Sequence, residues 1–308
     1  MSANECEATV GAALDVGADY FDTAPYYGFG LSERRLGDAL RMPGRGHAVV
    51  STKVGRLLIP DATIDVSEPR NGFHSAMPFR PEFDYGYDGV MRSWETSLHR
   101  LGSATVDILL VHDIGGFAHG EEHPRHFRDL MDGGLRALHE LKEIGAIRAF
   151  GLGVNEVAVC DEVLDEVDID CVLLAGRYTL LDQDSLELLS RCAERGVGVI
   201  AAGPYNSGIL AGGSRREGPL RYDYNIAPQE VMERLASIEA VCARYEVPIA
   251  AAALQFPMAH PSVTSVLPGI ASAARLADTI ALARHPIPAM FWHDLRQEGL
   301  LSPAAPLP

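Results

Sequence analysis

The chain has 308 residues, 47% hydrophobic and 22% charged, which allows a sizeable core and excludes a disordered chain. Acids outnumber bases by 42 to 26, a formal net charge of −16 without a basic block, which argues against a nucleic-acid partner held by phosphate neutralisation. Cys6, Cys160, Cys171, Cys192 and Cys242 show no metal spacing, the acidic start is unlike a secretory leader, and no run approaches the roughly 18 apolar residues of a membrane helix; the expectation is a cytoplasmic protein with no membrane partner.

A helix is predicted over 3–16, stopped by Gly17. A strand over 20–23 brings Asp22 to its C-terminal end, and Pro25, Gly28 and Gly30 then open a loop carrying Tyr26 and Tyr27. A helix follows over 32–40, with Ser32 as its N-cap. Residues 47–53 read as a buried strand ending on Lys53, and 55–86 as a long, proline-rich functional loop. A helix over 86–101 carries the stripe Val90, Trp94, Leu98 and Leu101, which makes Trp94 a core residue, and a strand over 106–112 ends on His112 and Asp113. Helices are predicted over 134–143, 157–167, 185–194, 229–245, 248–258 and 272–283, an amphipathic segment over 287–298, and strands over 149–154, 171–175, 198–202 and 263–267. Cys171 and Cys192 fall in the core.

Short apolar strands that alternate with helices specify an α/β fold with a parallel sheet covered by helices, in a single domain over 1–308. Two near-misses to a dinucleotide fingerprint occur at Gly28–Gly30 and Gly151–Gly153, each lacking the third glycine, and neither lies at the first strand–helix turn. Polar residues instead collect at several strand ends: Asp22, Lys53, His112 and Asn155. That distribution is the habit of a (β/α)8 TIM barrel.

Asp22, Tyr27, Lys53 and His112 read as one proton-transfer device. A free tyrosine, with a pKa of about 10, is a poor acid or base at neutral pH. A buried ammonium beside it would pull that pKa down, and a carboxylate would keep the ammonium charged. Asp22 supplies the carboxylate, and His112 can orient a carbonyl oxygen, with Asp113 behind it. His119, His123 and His126 share a predicted loop whose glycine, proline and acids read as a solvated surface, so no metal site is assigned. Arg177 and Tyr178 stand at a strand end, where substrate contact and simple packing are equally open.

The runs DTAPYYG from Asp22, Ser51-Thr52-Lys53, Val111-His112 and Gly151-Leu152-Gly153-Val154-Asn155 carry a resemblance to the aldo-keto reductases, NAD(P)-dependent (β/α)8 barrels, over nearly the whole chain. The resemblance implies Tyr27 as proton carrier, Lys53 and Asp22 as its tuners, and His112 as the orienter. It implies a cofactor site from Asn155, Pro204, Asn206, Ser207, Gly208, Leu210, Pro268, Gly269, Arg275 and Asp278. Gly269, where many NADP-selective members have lysine, favours NAD, whereas Arg275 favours NADP; the balance leans slightly to NAD. Finer features around Phe83-Asp84-Tyr85, Arg177 and Gly203–Leu210 resemble the branch that oxidises L-fucose-like aldoses, L-galactose and pyridoxal, in which a cyclic hemiacetal becomes a lactone and Tyr27 acts as base. The small sugar or aldehyde would then meet hydrogen-bond partners among Arg56, Asn71, His74, Tyr205 and Asn206.

Two departures from the family stand out. The family begins with a hairpin and a first barrel strand before the helix that here starts near Ala3, so the predicted barrel lacks its first strand and shows seven instead of eight. A late start or a real truncation would both explain this. Ala175 and the Ala202-Gly203 pair stand where many relatives carry a cofactor-binding glutamine and an aromatic. The rival reading is a catalytically weak barrel that serves as a nucleotide-binding or regulatory subunit.

Overall fold

The computed structural model describes residues 1–43, 48–215 and 218–308. Their contacts divide them into two units, one of Met1–Val154 with Ile270–Leu276 and one of Asn155–Gly269 with Ala277–Pro308.

In the first unit four parallel strands pair in chain order: Tyr20–Asp22, Val49–Val54, Ile108–His112 and Ala149–Val154. Asp22 lies opposite Ser51, Lys53 opposite Leu110, and His112 opposite Gly153. Parallel pairing puts the C-terminal ends of neighbouring strands together, so residues remote in sequence become neighbours there. The interior of these strands is Leu109, Leu110, Val111, Phe150 and Leu152, all buried. The Ala3–Asp15 helix opens with a capping box between Ser2 and Glu5. The Leu31–Leu40 helix meets the Tyr87–Leu101 helix at Gly37, where a Cβ would lie 1.9 Å from the Leu101 carbonyl oxygen.

The second unit holds three parallel strands, Cys171–Ala175, Gly198–Ala202 and Val263–Leu267, paired in that order. Its helices include Ala158–Glu166, Leu186–Arg195, Gln229–Arg244 and Ile249–Gln255. The described residues thus contain the seven parallel strands counted from the sequence. No helix among them is long and apolar enough to cross a membrane.

Several local expectations change. The strand predicted from 47 runs over Val49–Val54, and His47 lies outside the described residues. Gly30, not Ser32, caps the Leu31–Leu40 helix, with φ +97°. The Ser32 hydroxyl sits inside the first turn and accepts from Thr23 Oγ1 at 2.8 Å. The region read as a loop over 55–86 contains an antiparallel ribbon, Arg56–Pro60 against Phe79–Phe83. Its prolines misled the reading because a two-stranded ribbon leaves edge positions with no ladder bond to lose. Trp94 is half-buried, with its indole N–H unpartnered, because the buried stripe of its helix is Gly89, Val90, Ser93, Ser97 and Leu101. The histidines read as a loop lie in short helices, Gly116–His119 and His123–Asp129. Cys171 and Cys192 are buried as expected.

Candidate active site

Strand geometry puts Asp22, Lys53 and His112 at adjacent strand ends in the first unit, and the turn after Asp22 folds Tyr27 back over them. Gly28 and Gly30 make that turn possible, with φ of +64° and +97°. Lys53 is 1% exposed. Its Nζ donates to Asp22 Oδ2 at 2.6 Å and to the Thr23 carbonyl at 3.0 Å, and it lies 4.7 Å from the centroid of the Tyr27 ring. Asp22 Oδ1 accepts from Ser51 Oγ at 2.6 Å, and Ser51 Oγ lies 2.8 Å from Tyr20 OH. The carboxylate is therefore held on both oxygens and cannot swing away from the ammonium. The Tyr27 and His112 rings meet edge to face, 5.9 Å between centroids.

Burial alone would discharge Lys53. Tyr27, in its phenolate form, and Asp22 outweigh it and raise the lysine's pKa above its ordinary value. Tyr27 behaves differently from the sequence expectation. Burial pushes its phenol up, Lys53 pulls it back without cancelling that push, and the pKa stays above the ordinary value. Desolvation wins because the same enclosure that strengthens the lysine's field removes water from the phenolate, and because Asp22 offsets part of the lysine's charge. The resting pair is a neutral phenol beside a charged lysine. His112 is pushed well below its usual range by burial first, then by Arg56 and Lys53, so the imidazole is neutral. Its Nδ1 is buried without a hydrogen-bond partner, and its Nε2 lies 3.5 Å from Asp113 Oδ2.

Four supporting residues escaped the sequence reading or were assigned another task. Gly153 lies beside the lysine: a Cβ there would meet Lys53 Cε at 3.1 Å and Cδ at 3.3 Å. The second glycine of a failed dinucleotide pattern is thus a space for the lysine stem. Glu33, fully buried, accepts from Thr52 Oγ1 at 2.7 Å and from Arg100 Nε at 2.5 Å, which pins the residue before Lys53. Tyr85 donates to the His112 carbonyl at 2.8 Å and fixes the backbone of the histidine. Gly55 admits that tyrosine, since a Cβ would fall 2.2 Å from its ring. Sequence spacing gives no signal for these contacts, which depend on strand register.

His119 Nε2 lies 2.8 Å from Tyr85 OH, His123 Nδ1 lies 3.0 Å from the Ile114 carbonyl, and His126 Nε2 lies 3.0 Å from Arg125. Burial, then His126, pushes His119 down to about 4. No cluster among the described residues could hold a metal ion.

The residues assigned to a cofactor are dispersed. In the second unit the loop after the Gly198–Ala202 strand is tightly coiled: Gly203, Asn206, Ser207 and Gly208 have φ of +62°, +41°, +56° and +89°. Asn206 is 3% exposed; its Nδ2 donates to the Gly176 carbonyl at 3.0 Å, and its Oδ1 is buried without a partner. Ser207 Oγ accepts from the Tyr224 N–H at 2.9 Å, and Pro204 and Leu210 are buried. Asn155 is half-buried, its carbonyl held by Arg177 Nε at 2.7 Å. Pro268 is half-buried and Gly269 exposed, with open space where a Cβ would be. Arg275 and Asp278 are exposed. Arg177 is also paired with Asp182 and Asp223, and Tyr178 is buried with its hydroxyl unpartnered. Among the proposed substrate contacts, Asn71 Nδ2 donates to Tyr26 OH at 2.9 Å, Tyr205 hydrogen-bonds Thr279, and His74 is exposed.

The family model of the aldo/keto reductases matches residues 1–298. A pyridoxal 4-dehydrogenase of Microbacterium luteolum is 45% identical over 98% of this chain and 90% of its own length. A D-threo-aldose 1-dehydrogenase of a Pseudomonas species is 38% identical, with the same coverage of both chains. The solved structure of an aldo-keto reductase from Bacillus halodurans superposes with a TM-score of 0.72 at 23% identity, covering 98% of this chain and 88% of that one. A strand order and helix cover of this kind, with these relatives, define one class: the chain belongs to the aldo/keto reductase family. It is an oxidoreductase of the (β/α)8-barrel type, with seven parallel strands among its described residues. Members of the family use NAD(P)(H) and act on small sugars or aldehydes.

Proposed function

We propose that this enzyme oxidises a small cyclic hemiacetal to its lactone, with an L-fucose-like aldose as first candidate substrate and pyridoxal, which can close to a hemiacetal, as the second. The observation that carries the reading is the fully buried Lys53 ammonium, held by Asp22 and standing 4.7 Å from the Tyr27 ring centroid. A fold whose only need was stability would gain little from a buried ion pair.

A bound dinucleotide would supply the hydride acceptor for the hemiacetal carbon. Everything else falls to the chain's own side chains. As the carbon–hydrogen bond breaks, the hydroxyl on the same carbon must lose its proton for the carbonyl to form. Tyr27 takes that proton, acting as phenolate. Lys53 makes the phenolate accessible, since its field opposes the rise caused by burial. His112 is neutral and keeps one N–H for the reacting oxygen, which it orients. Positioned proton transfer of this kind contributes about 10²–10⁴-fold to a rate.

The second-unit loop fits a nucleotide on one point of chemistry: the orphaned Asn206 Oδ1 requires a donor, which a ribose hydroxyl or a carboxamide supplies. Asn155, Pro204, Ser207, Gly208, Leu210, Pro268, Gly269, Arg275 and Asp278 complete the proposed cofactor contacts. Gly269 itself brings no cation to a 2′-phosphate, which supports NAD over NADP, whereas Arg275 is the feature that favours NADP. We retain a single domain over 1–308, supported by one family model spanning most of the chain, and a cytoplasmic location, supported by five cysteines that form no disulfide among the described residues.

Fluorescence titration with NAD and NADP, followed by turnover assays on L-fucose and pyridoxal, tests this reading. Binding of NAD with oxidation of at least one substrate is the expected result. Binding without turnover of either would remove the hemiacetal reading.

A further inference from the structure

Arg56 and Asp113 have no part in the proton transfer above, yet they adjoin it. Arg56 lies three residues past Lys53 and Asp113 follows His112. The two side chains form an ion pair. The guanidinium lies 4.4 Å from the Tyr26 ring centroid and 5.1 Å from that of Phe83, and its Nε is buried with no partner. That donor is buried away from water without a hydrogen-bond partner, a cost that stability alone does not account for. Asp113 has φ +47°, a left-handed conformation that aspartate adopts more readily than most side chains. Its N–H closes the strand ladder on the Gly153 carbonyl at 3.0 Å, and the chain then turns so that the carboxylate meets Arg56. That carboxylate keeps 25% side-chain exposure and stands 3.5 Å from His112 Nε2. An acid, an arginine with one unpartnered donor and the orienting histidine thus share one corner, in which the Asp113 carboxylate is partly exposed.

We propose that Arg56 and Asp113 form a clamp for the substrate hydroxyl on the carbon next to the reacting hemiacetal carbon, a proposal that rests on the oxidation reading. A hydroxyl both donates and accepts. Arg56 donates to its oxygen while Asp113 accepts its proton, which only a donor and an acceptor side by side can do at once. The pair carries no net charge, so the clamp takes neutral polyhydroxylated hemiacetals and offers nothing to an acidic sugar that would need a free cation. Its position beside His112 selects the hydroxyl adjacent to the reacting carbon. A site built to hydrogen-bond a hydroxyl rejects the analogue lacking it by large factors, because its own polar groups then stay unpaired.

The test compares kcat and KM for L-fucose and 2-deoxy-L-fucose at saturating cofactor, in the wild-type enzyme and in Asp113→Asn, with Arg56→Lys as a second variant should the first not fold. The wild type is expected to prefer L-fucose by about 100-fold or more in kcat/KM. Either variant should move that ratio towards one, mostly through KM, an effect that a merely structural role would not produce. Equal use of both sugars by the wild type, or a wild-type ratio in the folded variants, overturns the clamp and leaves the oxidation reading standing. Turnover of pyridoxal but of neither sugar also overturns the clamp alone, whereas no turnover of any hemiacetal overturns both.

Discussion

Lys53 and Arg177 are both cations held at strand ends, one in each unit, and their surroundings differ in two respects, the number of carboxylates and the presence of a phenol. Arg177 meets two carboxylates, Asp182 and Asp223, and spends its Nε on the Asn155 carbonyl. Lys53 meets one carboxylate, a backbone carbonyl and a phenol. Two carboxylates more than neutralise the arginine's charge, so it serves as a brace. The lysine's charge is balanced once and still bears on a group able to exchange a proton. A buried cation at a strand end is therefore no functional mark by itself; the protonatable neighbour makes the difference.

The largest test of this contrast is a pair of substitutions. Lys53→Met should lower oxidation by about 10²–10⁴-fold and shift its alkaline limb to higher pH, because the phenol loses the charge that opposes its burial. Arg177→Met should act on affinity, raising KM for the cofactor through the released Asn155 backbone while kcat changes less. Steady-state kinetics across pH separate the two, and equal losses of kcat in both variants would dissolve the contrast.

Gly153→Ala is expected to be intermediate. Its methyl would press on the lysine stem, at a cost of about 1–3 kcal/mol in stability from overpacking. It should lower kcat as well, since the ammonium must shift relative to Tyr27. Melting curves and turnover of the same preparation check both, and a stable variant with unchanged kcat would show that the lysine tolerates displacement.

The smallest effect concerns His112. Its folded-state pKa lies below the ordinary value of 6.5, so the unfolded chain takes up a proton before the folded one does. The stability this burial allows is fully present above pH 6.5 and is lost as pH falls towards the folded pKa, with a slope of about 1.4 kcal/mol per pH unit for one proton. Denaturant melts from pH 7 downwards should show a shallower acid limb in His112→Gln than in the wild type. Parallel limbs would mean that other groups govern acid unfolding.

Most of the alternating framework was legible, because apolar strands of a parallel sheet and amphipathic helices have distinct periods. Asp22, Lys53 and His112 were legible as polar ends of such strands, and the structure brings them together with Tyr27. Contacts set by register were hidden: nothing in the order of residues says that Gly153 leaves room for Lys53 or that Glu33 reaches Thr52. The ribbon over Arg56–Pro60 and Phe79–Phe83 was masked by Pro60 and Pro81, which proclaim a loop unless the strand's free edge is known. The direction of the Tyr27 shift was missed for a different reason. Charge partners can be read from residue types, whereas the depth of burial that outweighs them comes only from packing.

The most direct test of the central claim is the pH dependence of hemiacetal oxidation in the wild type and in Tyr27→Phe. Because the Tyr27 proton is bound more tightly than in free tyrosine, wild-type kcat should climb steadily with pH through the neutral and alkaline range. Tyr27→Phe should keep cofactor binding, lose at least about 10²-fold in kcat and lose that climb. A phenylalanine variant with wild-type kcat and the same rising profile would contradict the account.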